Sequence, residues 1–220
     1  MAIIGIVAGG VKEEVPPLKS YDEVNFWIGV DKGNTTLFEQ GITPNVALGD
    51  FDSIDEHHKK EVFARVNEVK TFPEKKDETD LEIAIKEAIE LAPSKVLIFQ
   101  ATGGRKDHEW VNILLLRHFA ENEIDAWIIN QQNELSLKMP GQYTLEKDDF
   151  FPYISFLSIS ETVSGLTLNG FKYNLSNEKI ELGSSLTVSN EWNEKKGTYL
   201  FESGILLVIK SRDRESNHFK

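Results

Sequence analysis

The sequence predicts an α/β fold in two parts: an N-terminal open, largely parallel six-stranded sheet with helices on both faces, then an all-β C-terminal sandwich. Up to about Asn130, short β-branched apolar runs alternate with stretches of helical periodicity, the pattern of βαβ units. Past Met139-Pro140-Gly141 the helical period disappears, and short strands separated by turn residues take over. The chain of 220 residues is long enough for two domains. A composition shift at Gln131-Gln132-Asn133 sets them at residues 1–135 and 140–212.

In the first part the expected strands are residues 3–8, 26–30, 46–48, 69–72, 95–100 and 126–129, each a short apolar run. Ser53 with Glu56, and Thr79 with Glu82, have the spacing of a capping box, so helices are expected from Ile54 and from about Asp80. Leu81, Ala84, Ile85, Ala88 and Ala92 would form one apolar stripe. Asp107 is placed to cap the next helix, whose expected stripe is Val111, Leu114, Leu115 and His118. His118 then reads as a packing residue, and His57, His58 and His218 as solvent-facing.

In the second part strands are expected at residues 151–159, 163–168, 171–175, 185–188, 197–201 and 204–209. Asn169-Gly170 signals a two-residue hairpin, since both residues tolerate positive φ. The polar tail from Ser211 is expected to be disordered.

A net charge of −12 argues against nucleic acid or an anionic membrane as partner. With no cysteine, disulfides, zinc-thiolate centres and a cysteine nucleophile are excluded, which suits a reducing compartment. No apolar run nears the roughly 20 residues of a membrane helix, and the N-terminus reads as a strand rather than a signal peptide. A soluble, cytoplasmic protein is the expectation.

In open α/β sheets ligands bind beyond the carboxyl ends of the strands, so the loops there are the place to look. They carry Gly9-Gly10, then Asp31-Lys32-Gly33-Asn34, then Asp50 and Asp52, then Asp77 and Asp80, then Gly103-Gly104-Arg105-Lys106-Asp107-His108. The glycine pairs fit ordinary turns, or backbone N–H groups set close to phosphate oxygens. Lys32 and Arg105 fit exposed loop cations or phosphate ligands, and a guanidinium suits the second role. In the stretch Gly49-Asp50-Phe51-Asp52-Ser53 the two carboxylates would share one side of extended backbone. Five aspartates on one edge repel unless a cation intervenes, and magnesium carried on a nucleoside triphosphate is the natural one.

Taken in order, Asp31-x-Gly33, Gly49-Asp50-Phe51-Asp52-Ser53, Asp77-x-Thr79-Asp80 and Gly103-Gly104-Arg105-x-Asp107-His108 resemble the thiamine pyrophosphokinase family. Gly170-Phe-Lys-Tyr-Asn-Leu175 and Val188-Ser189-Asn190 resemble its β-domain signatures, so the similarity spans nearly the whole chain. The resemblance implies transfer of the pyrophosphoryl group of ATP to the hydroxyl of thiamine, giving thiamine pyrophosphate and AMP. It implies an ATP-binding catalytic first domain and a thiamine-binding second one, in a homodimer whose active site lies between subunits. By the same resemblance Asp50, Asp52 and Asp80 hold Mg2+, and Asp31 lies near the reacting phosphates. Arg105, Asp107 and His108 border the nucleotide, along with Gly9, Gly10, Lys32, Asp77, Gly103 and Gly104. Tyr173 offers thiamine an aromatic face, and Thr187, Ser189 and Asn190 line that pocket.

Two positions depart from the family pattern. Lys32 stands where many relatives have glycine, and Lys76 where some have a glutamine that meets thiamine. Two rival readings are a pyrophosphokinase for another alcohol, such as a hydroxymethylpterin, and a nucleotide-binding sensor without turnover. A sensor has less need of so many carboxylates.

Overall fold

The computed structural model describes residues 2–52, 54–73 and 77–214. Ser53, Lys76 and His218, each named above, lie outside the described residues. The chain forms two compact units, one running to Gln131 and one starting at Gln132.

The first unit contains strands β1 (Ile3–Val7), β2 (Phe26–Val30), β3 (Val46–Gly49), β4 (Glu68–Thr71), β5 (Lys95–Phe99) and β6 (Asp125–Ile129). Helices α1 (Lys32–Glu39), α2 (Glu56–Arg65), α3 (Asp80–Glu90) and α4 (Lys106–Glu121) connect them. Every strand pair in this unit is parallel, in the order β6-β5-β1-β2-β3-β4. The central strands are buried along almost their whole length, which is why they read as unbroken apolar runs. From β1 the chain steps outward to β4, then crosses back to β5 on the other side of β1. That reversal opens a crevice at the carboxyl ends of β1 and β5.

Helix starts agree with the sequence in one case and differ in two. Thr79 caps α3 as expected, its hydroxyl accepting from the Glu82 N–H (3.1 Å). Helix α2 begins at Glu56 rather than Ile54, because Asp55 is its cap and accepts from the His58 N–H (2.9 Å). Helix α4 follows Arg105, which makes no side-chain cap, so Asp107 lies inside the first turn. The α4 stripe is also rotated: Ile113, Leu115, Leu116 and Phe119 are buried, whereas Val111 and Leu114 are exposed. Ala92 lies beyond the end of α3 and is exposed.

The second unit is antiparallel throughout. One sheet joins β7 (Asn133–Lys138), β9 (Tyr153–Ser158), β12 (Asn190–Glu191) and β14 (Leu206–Ser211). The other joins β8 (Gly141–Glu146), β10 (Thr162–Asn169), β11 (Leu175–Glu181) and β13 (Lys196–Phe201). Phe156 of β9 meets Tyr199 of β13 at 5.1 Å and Phe171 at 5.4 Å, so rings from both sheets share one core. Residues 171–175 do not form the expected strand, and Asn169-Gly170 is not a two-residue hairpin. The connection is longer, with Leu168 paired to Leu175. Residues 185–188 are turns rather than a strand.

Candidate active site

The carboxyl edge of the parallel sheet gathers the loops singled out in the sequence. The crevice beside β1 is closed at its base by the Gly10 N–H, which donates to the Gln100 carbonyl (2.8 Å). A Cβ on Gly10 would fall 2.4 Å from that same oxygen, so glycine is needed there for strand-end approach. Around Gly9 a Cβ would meet nothing, which leaves its face open. Beside this crevice a cavity of about 260 Å³ is lined by Gly10, Lys32, Thr35, Asp55, His58 and Gln100, among others. In sequence Gln100 is only a polar residue after the apolar run of β5, and Thr35 only a polar residue of α1.

Asp31 is the centre of the carboxylate group. It follows β2 with φ 45° and ψ −117°, a conformation that L residues rarely adopt and that concentrates at functional positions. Its Oδ1 accepts from the Phe51 N–H at 3.4 Å. Burial, then the neighbouring charge of Asp80, then that of Asp50, push the Asp31 carboxyl from 3.8 up to about 7, against the lowering effect of the Phe51 N–H. Asp50 at the end of β3 and Asp80 in the first turn of α3 therefore both act on Asp31 at the end of β2.

Asp52 joins this group through its backbone, its N–H donating to Asp50 Oδ1 (3.0 Å). The backbone between them is not extended, because Phe51 has φ 57°. The alternation that would put Asp50 and Asp52 on one side thus does not apply. Phe51 instead turns inward to a cluster with Ala47, Val62 and Val66, anchoring the loop beneath its two carboxylates. The result is an all-oxygen donor set on rigid element ends, whose mutual repulsion a hard divalent cation would relieve. By donor chemistry the set fits magnesium. Asp77 is exposed nearby in sequence.

The loop after β5 is tied by hydrogen bonds of its own. The Gly103 N–H is taken up by Glu109 (3.3 Å), and a Cβ on Gly103 would strike the Glu14 carboxylate at 2.4 Å. Glu14 and Glu109 thus lie against this loop, which the motifs did not reveal. A Cβ on Gly104 would meet only Val11 Cγ2, at 4.0 Å. Arg105 forks onto Asp107 (3.2 and 2.6 Å), and this pairing, with the His108 N–H, holds Asp107 down at about 2. Arg105, Asp107, His108 and Lys32 are all exposed. Asp55, His57 and His58 bring one ligand atom each within 4.8 Å of one another. Asp55 is committed to the helix start, where it also pairs with His58 Nδ1 (2.8 Å).

In the second unit Tyr173 is 59% exposed. Ser189 sits at φ 55°, its N–H donating to Ser155 Oγ (2.9 Å). Thr187 and Asn190 are buried, and their polar groups are engaged within the fold: Thr187 Oγ1 donates to the Phe156 carbonyl, and Asn190 bonds the backbone of Tyr173.

Residues 18–128 match the family model described as "Thiamin pyrophosphokinase, catalytic domain", and residues 142–206 match "Thiamin pyrophosphokinase, vitamin B1 binding domain". The chain belongs to the thiamin pyrophosphokinase family. It is 45% identical over 214 residues to the thiamine pyrophosphokinase of Bacillus subtilis (strain 168), covering 97% of this chain and 100% of that protein. The crystal structure of the Bacillus subtilis thiamine pyrophosphokinase superposes with a TM-score of 0.91 at 44% identity, over 96% of this chain and 100% of that one. The thiamin pyrophosphokinase of Geobacillus thermodenitrificans gives 0.88 at 42% identity, over 97% and 99%. The thiamin pyrophosphokinase of Candida albicans, at 16% identity, shares the fold with a TM-score of 0.81, over 96% and 89%. Membership in this family rests on both halves of the chain, the α/β unit and the antiparallel one.

Proposed function

We propose that the protein transfers the pyrophosphoryl group of ATP to the hydroxyl oxygen of thiamine, giving thiamine pyrophosphate and AMP. The observation that carries this reading is the Asp31, Asp50 and Asp80 group at the carboxyl edge, within a chain similar to thiamine pyrophosphokinases from end to end. In the reaction the thiamine oxygen bonds to the β-phosphorus of ATP, and the bond from that phosphorus to the α,β-bridging oxygen breaks. The hydroxyl proton passes to a base, and AMP departs. Such displacement needs alignment and charge neutralisation more than covalent help from the protein.

Asp50, Asp52 and Asp80, with Asp31 beside them, are the residues we assign to hold Mg2+. When bound, the ion would neutralise phosphate charge and orient the polyphosphate. The chain's own part is to keep this edge rigid: Phe51 anchors one loop in the core, and Thr79 fixes the start of α3. We assign Gly9, Gly10, Lys32, Asp77, Gly103, Gly104, Arg105, Asp107 and His108 to the nucleotide side, residues 1–135 as the ATP-binding domain and residues 140–212, read as a β-sandwich, as the thiamine-binding domain. Tyr173 and Ser189 are its contacts with thiamine, supported by the exposed ring and the strained, outward turn. The family resemblance also supports a cytoplasmic homodimer in which this surface of one subunit serves the ATP edge of its partner. A monomeric mass at assay concentration would contradict the dimer.

Incubation with ATP, Mg2+ and thiamine, followed by chromatography, tests the reaction. Thiamine pyrophosphate and AMP in equal amounts are expected. ADP as the nucleotide product would contradict pyrophosphoryl transfer, and turnover only with a pterin alcohol would contradict the acceptor.

A further inference from the structure

The exposed Tyr173 ring rises from a segment with no regular strand pairing of its own. Residues 171–174 lie between β10 and β11, where Phe171 makes an isolated bridge to Trp192 and Lys172 and Tyr173 form bends rather than a ladder. What holds the backbone of Tyr173 is a side chain. The Tyr173 N–H donates to Asn190 Oδ1 at 3.0 Å, and Asn190 Nδ2 donates to the Tyr173 carbonyl at 2.8 Å. Asn190 is 3% exposed, and its own backbone pairs with Ile154 of β9. The carboxamide therefore imitates a neighbouring strand, offering one acceptor and one donor to one residue's N–H and C=O.

Around this pair the segment is tied at further points. The Lys172 N–H donates to the Glu191 carbonyl (2.9 Å), and the Lys172 ammonium pairs with the Glu191 carboxylate (2.6 Å). Immediately before Asn190, Ser189 takes its left-handed φ, so that Asn190 turns in to grip Tyr173 while Ser189 stands at the surface. Val188 is exposed beside it.

We propose that Asn190 is a positioning residue: its carboxamide sets the Tyr173 ring relative to Ser189 and so shapes the face that receives the acceptor alcohol, without Asn190 touching that alcohol. This rests on the reading of Tyr173 as a thiamine contact. No other side chain of similar size supplies the same pattern. Aspartate keeps the acceptor for the Tyr173 N–H but sets a carboxylate oxygen against the Tyr173 carbonyl, and alanine keeps neither bond.

The test uses full-length Asn190→Asp, Asn190→Ala, Tyr173→Ala and the double variant Asn190→Ala with Tyr173→Ala. Asn190→Asp and Asn190→Ala are each expected to raise the KM for thiamine by about tenfold or more while the KM for ATP stays within about twofold. The double variant should be no worse for thiamine than Tyr173→Ala alone, because both changes remove one ring placement. Amide hydrogen exchange at Tyr173 should accelerate in Asn190→Ala, a readout that needs no turnover and keeps the clamp testable where activity is lost. Parental thiamine KM in a folded Asn190→Asp, or additive losses in the double variant, would overturn the proposal, as would unchanged exchange at Tyr173. If Tyr173→Ala itself keeps the parental thiamine KM, the reading of Tyr173 falls and the proposed purpose of the clamp falls with it. Exchange at Tyr173 then separates that result from failure of the clamp itself.

Discussion

Asp31 and Gly49 are packed so closely that a Cβ built on Gly49 would lie 1.9 Å from Asp31 Oδ1. Gly49 also has φ 141°, outside the range open to most residues. The glycine that ends β3 is thus what lets the Asp31 carboxyl sit beside Asp50 and Asp80. Gly49→Ala is expected to lower kcat by about a hundredfold or more, since small displacements of catalytic groups carry such losses. Steady-state kinetics beside a thermal melt checks this, and a folded variant with parental kcat would contradict it.

Asp31 gives a pH prediction for the metal-free protein. Its carboxyl titrates at 3.8 ordinarily and at about 7 in the fold, so the folded state favours the protonated form. Stability from this residue is fully present below 3.8 and is lost as pH rises through about 7. Asn tolerates the same positive φ and stays neutral. Asp31→Asn, without divalent cation, should therefore melt about 2–6 °C above the parent at pH 8, with the gap closing near pH 4. Partial exposure keeps the effect below the full shift. Identical melting curves at pH 8 would remove the repulsion argument.

Phe51 is 1% exposed and holds the loop of Asp50 and Asp52 to the core. Phe51→Ala should cost about 3–5 kcal/mol in denaturant unfolding, the range for a deleted buried aromatic. A loss under about 1 kcal/mol would show that the loop is held by other contacts.

Much of this arrangement was legible in the sequence because parallel strands buried on both faces leave unbroken apolar runs, and their carboxyl ends mark the edge where ligands bind. The Thr79 cap was equally plain, since its partner Glu82 lies within the same local motif. What escaped was set by distant contacts. The turn at Phe51 follows from its burial against Val62 and Val66, and the capture of the Gly103 N–H by Glu109 depends on how α4 is seated. Strand β11 escaped because Leu-Ser-Asn-Glu-Lys-Ile-Glu is polar and mostly exposed, and only its pairing with β10 makes it a strand. The role of the Asn190 carboxamide is invisible in sequence for the same reason: Tyr173 is 17 residues away.

Asp50→Asn and Asp52→Asn should each remain folded and lose turnover by about a hundredfold or more, with Asp50 the more sensitive because its charge acts directly on Asp31. Both variants should need more Mg2+ for half-maximal rate. Parental activity and parental Mg2+ dependence in either variant would remove that residue from the metal assignment.

The most direct measurement follows ATP labelled at its β-phosphorus through a single turnover with thiamine and Mg2+. Pyrophosphoryl transfer predicts that all transferred label appears in thiamine pyrophosphate and that the AMP is unlabelled. Label retained in ADP, with thiamine monophosphate as the acceptor product, would contradict it.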